Sequence, residues 1–431
     1  MQTNRMGLIY IKKRSFPEVL VSLVVLFPFI MAFLLEFLNV PNFIKYAVDA
    51  IYICAFVYIN FRKNTYIKRE LAPFAVFILC FFLYNLIIYL FNYQSAFYFL
   101  WGVRNNFRFY IAFLLFATVF NGEDIQGFFK FADIVFWVNA AVTMFQFFVL
   151  GLRQDYLGGI FGAEKGCNAF TILFLVIVVG KSMLLFMNKE QKAVECFLKC
   201  GVSLLIAAMA ELKFFFILFV IILVFSAVMT KFSFRKVVLL MVAAALLMGA
   251  SLLLPIIFGS NRVLSIENII ETITATNYST ARDLGRFTAI PKISSNFLTG
   301  FFDKLFGLGL GNCDTSSFDI CNSPFYRSHA YLNYNWFSSA FLFLETGYVG
   351  LLTYLSFFAI CFLCARRFSK QGRANPLFCR MSMLMSLICV IMVFYNSSLR
   401  TEVAYMAFFV LAAPFSGTAQ DDLNRQSTVF D

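Results

Sequence analysis

Long apolar runs alternate with short polar joints along most of this chain, and the runs are too long for the core of a soluble domain. A run of about 17–25 mainly apolar residues can cross the hydrocarbon core as a helix. Such runs fall near residues 18–38, 43–61, 71–91, 104–120, 130–150, 169–187, 197–210, 213–230, 237–258, 338–363, 380–395 and 402–415. They predict an all-α polytopic membrane protein of about twelve transmembrane helices. The seventh, tenth and twelfth depend on where the interface is drawn, and Arg104 and Arg108 crowd the start of the fourth. No small-residue cleavage site follows the first run, Phe16 to Leu38, which therefore reads as a retained signal anchor.

The alternation breaks once. Residues 259–333 are polar enough to leave the bilayer, and a connection this long is usually functional or disordered. Val263, Ile266, Ile269, Ile270 and Ile273 share one helical face, and 287–306 reads similarly, so a folded helical cap is expected. The chain thus divides into helices 1–9 (1–258), an extracytoplasmic cap loop (259–333), and helices 10–12 with a cytoplasmic tail (334–431).

Composition sharpens the class. The chain is 61% hydrophobic and only 13% charged, against about 25% charged in soluble domains. The net charge of +12 does not point to nucleic acid, because the cations sit at helix ends and in short loops. With a cytoplasmic amino terminus, 22 of the 35 Lys and Arg fall in inner segments, and six of the other 13 lie in the cap. Both termini are therefore expected inside. Most cysteines lie in apolar runs and act as small hydrophobes. Cys361 and Cys364 lack a second pair to complete a zinc site. Cys313 and Cys321, in the cap, permit a disulfide by their spacing without requiring one.

Charges in or beside spans are costly and mark candidate sites. Glu211-Leu212-Lys213 splits the apolar stretch from Cys196 to Thr230 into two short helices, so the acid and base sit at a hairpin tip or simply mark it as an ion pair. In the cap, Arg282, Asp283, Gly285 and Arg286 open a second helix, and His329, the only histidine, closes the loop. Arg104, Arg108, Arg153, Lys165, Arg327 and Arg400 are further outer cations. Singly they suit snorkelling to lipid headgroups, but together they suit a multiply anionic ligand. Lys45 and Asp49, four apart, have the spacing of a helical ion pair, and Asp133 lies near an inner end where water reaches it. No metal constellation or cofactor motif is present, and none is expected.

The cap also carries an ordered set of motifs. Gly285-Arg286 leads into Phe306-Gly307-Leu308-Gly309-Leu310-Gly311, then His329, then Glu345-Thr346-Gly347-Tyr348-Val349-Gly350; Leu157 to Gly162 adds a glycine turn before the sixth span. This set resembles the bacterial O-antigen polymerase and O-antigen ligase superfamily, the Wzy-type polymerases and their ligase relatives. Lys213 stands where that family commonly has a hairpin arginine, and His329 precedes Glu345 by more residues than the family's histidine does. Strict register places Tyr334 or Asn335 at that histidine; a short insertion would restore His329.

The resemblance implies a metal-independent glycosyltransferase. It would move a glycan from undecaprenyl diphosphate to a hydroxyl of another lipid-linked repeat unit on the outer leaflet. Arg286 would stabilise the leaving diphosphate with Lys213 and Arg282 assisting, and His329 would take the acceptor proton with Glu211 as fallback. Arg104, Arg108, Arg153, Arg327 and Glu345 complete the expected binding set. Partners would be the lipid-linked oligosaccharide, membrane lipids and a chain-length-regulating protein. A ligase would differ only in using a lipid A core as acceptor. A lipid-linked oligosaccharide flippase is the rival class, although the two halves show no repeat; a non-catalytic scaffold is the third.

Overall fold

The computed structural model describes residues 15–62, 69–92, 94–164, 166–230, 233–258, 282–316 and 318–416. Among them the chain is all helix and connections, without strands. The bundle is built from α1 (Phe16–Ala32), α2 (Ala47–Arg62), α3 (Ala72–Phe91), α4 (Ala96–Val119), α5 (Gly122–Phe148), α6 (Asn168–Met187), α7 (Ala193–Met209), α8 (Lys213–Val228) and α9 (Phe234–Phe258). The cap carries α10 (Ala289–Asn296), α11 (Phe301–Phe306) and α12 (Pro324–His329), and the bundle resumes with α13 (Ser338–Gln371), α14 (Pro376–Tyr395) and α15 (Ala404–Ala412). Each expected apolar run is a helix, and six are long and apolar enough to cross a membrane: Phe16–Phe37, Arg69–Phe91, Gly122–Phe148, Asn168–Met187, Ser338–Gln371 and Pro376–Tyr395.

The core is aromatic. Phe74, Phe113, Phe357 and Phe415 pack ring on ring, with Tyr110 meeting Phe357 at 4.8 Å between centroids. α6 is buried along nearly its whole length, whereas α3 shows most of its surface outward, Val76, Leu79, Leu83, Ile87 and Leu90 included. An apolar exposed helix of this kind faces lipid.

Several charges sit differently from expectation. α4 begins eight residues before the anticipated start of its span, so Arg104 and Arg108 lie inside the helix. The helix tolerates them because each has a carboxylate from elsewhere: Arg104 pairs with Asp49 and Arg108 with Glu402. Asp49 is therefore not the partner of Lys45. Asp133, expected to be hydrated, accepts from both Lys181 and Lys199, and Lys199 also bonds Glu195 at 2.7 Å. Cys313 and Cys321 are separate thiols, not a disulfide. The 287–306 stretch is two helices, interrupted at 297–300, rather than one. The face from Val263 to Ile273, Lys165 and the tail beyond 416 lie outside the described residues.

The two cap motifs form one clasp. α13 breaks at Gly347, whose φ is 61°, so carbonyls of the preceding turn lose their helical donors. Leu308 N–H donates to the Leu344 carbonyl (2.8 Å), Gly309 N–H to Glu345 (2.9 Å), and the Tyr84 hydroxyl to Thr346 (2.7 Å). The backbones touch: a Cβ on Gly307 would lie 2.5 Å from the Glu345 carbonyl carbon, and one on Gly347 2.4 Å from that of Leu305. Close approach, together with the positive φ, is why glycine occupies both places.

Candidate functional site at the cap end of the bundle

The connections expected on the outer face meet at one end of the bundle and enclose a cavity of about 880 Å³. That is the size of a small-molecule or cofactor pocket. Its walls come from the end of α1, Lys45, the 154–170 connection, the α7–α8 hairpin, Arg286–Phe287, Trp336–Phe337 and the 395–402 connection.

The hairpin is set by backbone geometry. Glu211 takes a φ of 50°, ending α7, while Leu212 N–H donates to the Ala207 carbonyl at 2.8 Å. This turns the chain within three residues and leaves Lys213 as the first residue of α8. The Glu211 carboxylate accepts from Gln154 Nε2 at 3.1 Å. The glycine turn before α6 is pinned by α5: Gly159 N–H donates to Gln146 Oε1 (2.7 Å) and Ile160 N–H to Asn139 Oδ1 (3.0 Å). It delivers Ala163 N–H to Glu36 Oε1 at 2.8 Å, which fixes the carboxylate ending the first helix.

Two cations arrive from distant parts of the chain. The Arg286 guanidinium lies 4.2 Å over the Tyr395 ring, and that ring stacks on Phe214 with centroids 3.6 Å apart and planes 7° apart. Phe214 follows Lys213, so one aromatic pair carries the cap arginine and brings it to the hairpin lysine. A guanidinium over an aromatic face is held by the ring quadrupole while keeping donors at its edge. Among the described residues Lys45 and Lys213 form no ion pair, whereas the wall's acids are partly engaged. Glu36 accepts from Ala163, Asp155 from Asn168 at 3.1 Å, and Glu402 from Arg108 at 3.3 Å. Cys167 also lines the wall, but burial, reinforced by Glu36, pushes its thiol up to about 12, which keeps it neutral and unsuited to nucleophilic work.

Of the residues singled out by sequence, the cavity brings together Glu211, Lys213 and Arg286. Arg108 stands behind it, holding Glu402 and donating to the Arg400 carbonyl at 2.8 Å. The others lie elsewhere. Arg104 is occupied by Asp49, Arg153 lies over Phe147 at 3.8 Å, Arg282 is exposed, and Arg327 donates to the Asp319 carbonyl at 2.8 Å. Glu345 is fully buried behind the glycine turn, accepting from Cys313 N–H at 3.2 Å. His329 is not in the cavity wall; it stacks on Phe325 at 4.5 Å, its Nδ1 3.2 Å from the Phe325 carbonyl. Tyr334, the alternative in strict register, donates its hydroxyl to the Cys313 carbonyl at 2.6 Å, while Asn335 is half-buried beside it.

Sequence reasoning passed over Glu36, Asp155, Glu164, Tyr395 and Glu402 as wall residues, and matched Lys45, also in the wall, with Asp49 instead. The only signal for Glu36 and Glu402 was a carboxylate at the mouth of an apolar run. Among the described residues no group of His, Cys, Asp and Glu could hold a metal ion. In comparison with known proteins, the chain matches no protein-family model and no curated sequence.

Proposed function

We propose that this chain is a polyprenyl-diphosphate-dependent glycan polymerase of the bacterial cytoplasmic membrane, with about twelve spans and the cavity end outward. The observation carrying this reading is the Arg286–Tyr395–Phe214–Lys213 arrangement, which aims two cations into a cavity also walled by apolar side chains such as Leu35, Phe170 and Ile217. Fixed cations in a site shielded from water stabilise charge that develops on a leaving diphosphate. The apolar wall suits the first isoprene units of a lipid carrier.

In the proposed step an acceptor hydroxyl oxygen attacks the anomeric carbon of the donor glycan. A new glycosidic bond forms as the bond to the diphosphate oxygen breaks, and the carrier diphosphate leaves with that electron pair, facing Arg286 and Lys213. The hydroxyl proton passes to a carboxylate. Glu211 takes this role in preference to His329, because it lines the cavity and the histidine does not.

The test is deletion in the host, with surface and lipid-linked glycans resolved by size and complementation by wild type or Arg286→Ala. Loss of long chains while single repeats still reach their final acceptor supports the polymerase, and Arg286→Ala should copy it. Long chains stranded on the carrier would instead mean a ligase. Lipid-linked repeats trapped on the cytoplasmic side would mean a flippase and would overturn the reading.

A further inference from the structure

The cap is not confined to water above the bundle. α3 crosses the expected membrane with its exposed face continuing through Ile87, Leu90 and Phe91, the last 78% exposed. Just beyond it, Gln94 Nε2 donates to the Leu310 carbonyl at 2.6 Å, so the end of α3 is level with the end of the glycine turn. The chain reaches that level from below. Phe306, closing α11, has its ring 6.3 Å from that of Tyr84, and Leu305 abuts Gly347 within the α13 span. Tyr84 lies seven residues before Phe91, which at 1.5 Å per residue is about 10 Å down the helix. The carboxy-terminal end of α11 therefore lies about two helical turns inside the apolar end of α3.

α11 is built for that depth. Phe301 and Phe302 are each 71% exposed, and neighbouring α13 presents Tyr348 and Leu352 outward as well. The polar residues of α11 are Asp303, whose carboxylate sits close to Gly300 at the helix start, and Lys304, whose long stem can carry its ammonium towards headgroups. Two adjacent phenylalanines exposed to water on a loop would form an unusual apolar patch. Exposed beside lipid-facing helices, they continue the same surface.

We propose that α11 is a membrane anchor of the cap, with Phe301 and Phe302 inserted among the acyl chains of the leaflet on the cap side. The occupant is bulk bilayer lipid, because the patch is continuous with the lipid face of α3 and α13 and lies away from the cavity wall. The anchor requires α3 to span the membrane and is independent of the catalytic reading.

The experiment places photoreactive benzoylphenylalanine at Phe302, at Leu83 on the lipid face of α3, and at exposed Arg327 of the cap, in the full chain reconstituted in phosphatidylcholine vesicles. A monodisperse elution profile and a wild-type unfolding midpoint in detergent check that each variant folds. Irradiation should give phospholipid adducts at 302 as readily as at 83, and none at 327. Lipid adducts at 83 alone would overturn the anchor. A cross-linked dimer through 302 would overturn it too, by showing that a second copy covers the patch.

Discussion

Arg108 holds Glu402 across the bundle: Nη1 of a guanidinium only 3% exposed meets Oε1 of a carboxylate in the cavity wall at 3.3 Å. The same arginine donates to the Arg400 carbonyl, so one buried side chain shapes the 395–402 wall. Removing one partner of a buried pair leaves the other charge uncompensated. Glu402→Ala should therefore destabilise the protein by about 3–5 kcal/mol, with Glu402→Gln losing less because its amide oxygen still accepts. Thermal unfolding of the purified protein in detergent reads the difference, and equal midpoints for Ala and wild type would show the pair to be idle.

A second prediction concerns the aromatic carrier of Arg286. Tyr395→Phe keeps the ring under the guanidinium and on Phe214, so glycan synthesis should continue; Tyr395→Ala removes both contacts and should abolish long chains. Lys213→Gln removes a cation from the same place and should slow transfer about 10²–10³-fold, the loss typical of one transition-state donor. Turnover of lipid-linked repeats in membranes gives both rates. If Tyr395→Ala and Lys213→Gln were as fast as wild type, the arrangement would have no part in the reaction.

The clasp can be opened at one atom. Gly347→Ala puts a methyl 2.4 Å from the Leu305 carbonyl carbon at a φ of 61°. Strain of this kind costs about 1–3 kcal/mol at a non-glycine residue, and the contact adds to it. Limited proteolysis should then cut between 297 and 316 far faster than in wild type, while the bundle stays intact. Unchanged cleavage would mean that the cap is held by something other than this junction.

The opposite end of the bundle offers an independent check. Lys181 and Lys199 share the carboxylate of Asp133, and both ammonium groups are almost wholly buried. Asp133→Asn strands the Lys181 cation, while Lys199 keeps Glu195, and should cost about 3–5 kcal/mol. Adding Lys181→Met should restore part of that loss, because the stranded charge is gone. A double mutant less stable than the single would refute the account.

The thiols give a chemical test. Burial raises the Cys321 thiol above its ordinary range, and burial with Glu345 and Asp314 nearby raises Cys313 further. The thiolate is the reactive form, so maleimide labelling of the native protein should be slow at neutral pH and accelerate as pH rises towards the thiol pKa. After denaturation without reductant both cysteines should label; failure of both to do so would reveal a disulfide.

What the sequence disclosed, and what it hid, follows from distance along the chain. The hairpin was legible because Glu211 and Lys213 interrupt an apolar run that nothing else interrupts. The start of α4 was misplaced because the acids that make its arginines tolerable lie far along the chain, Asp49 on α2 and Glu402 in the 395–402 connection. The glycine motifs could be seen but not their interlocking, since a motif does not say which carbonyls another segment has freed. The cavity wall was mostly hidden: Tyr395 looks like any aromatic at a span end, and Glu36 like any interfacial acid, until folding gathers them.

The clasp also sets an order of assembly. Leu308 and Gly309 are synthesised before the carbonyls of Leu344 and Glu345 that will receive their N–H groups. Until α13 has been synthesised and inserted, the N–H groups of Leu308 and Gly309 lack these acceptors and must rely on water. Its shape is therefore a late event of biogenesis, and a nascent chain ending before residue 344 would carry a bundle of early helices with an unfinished cap.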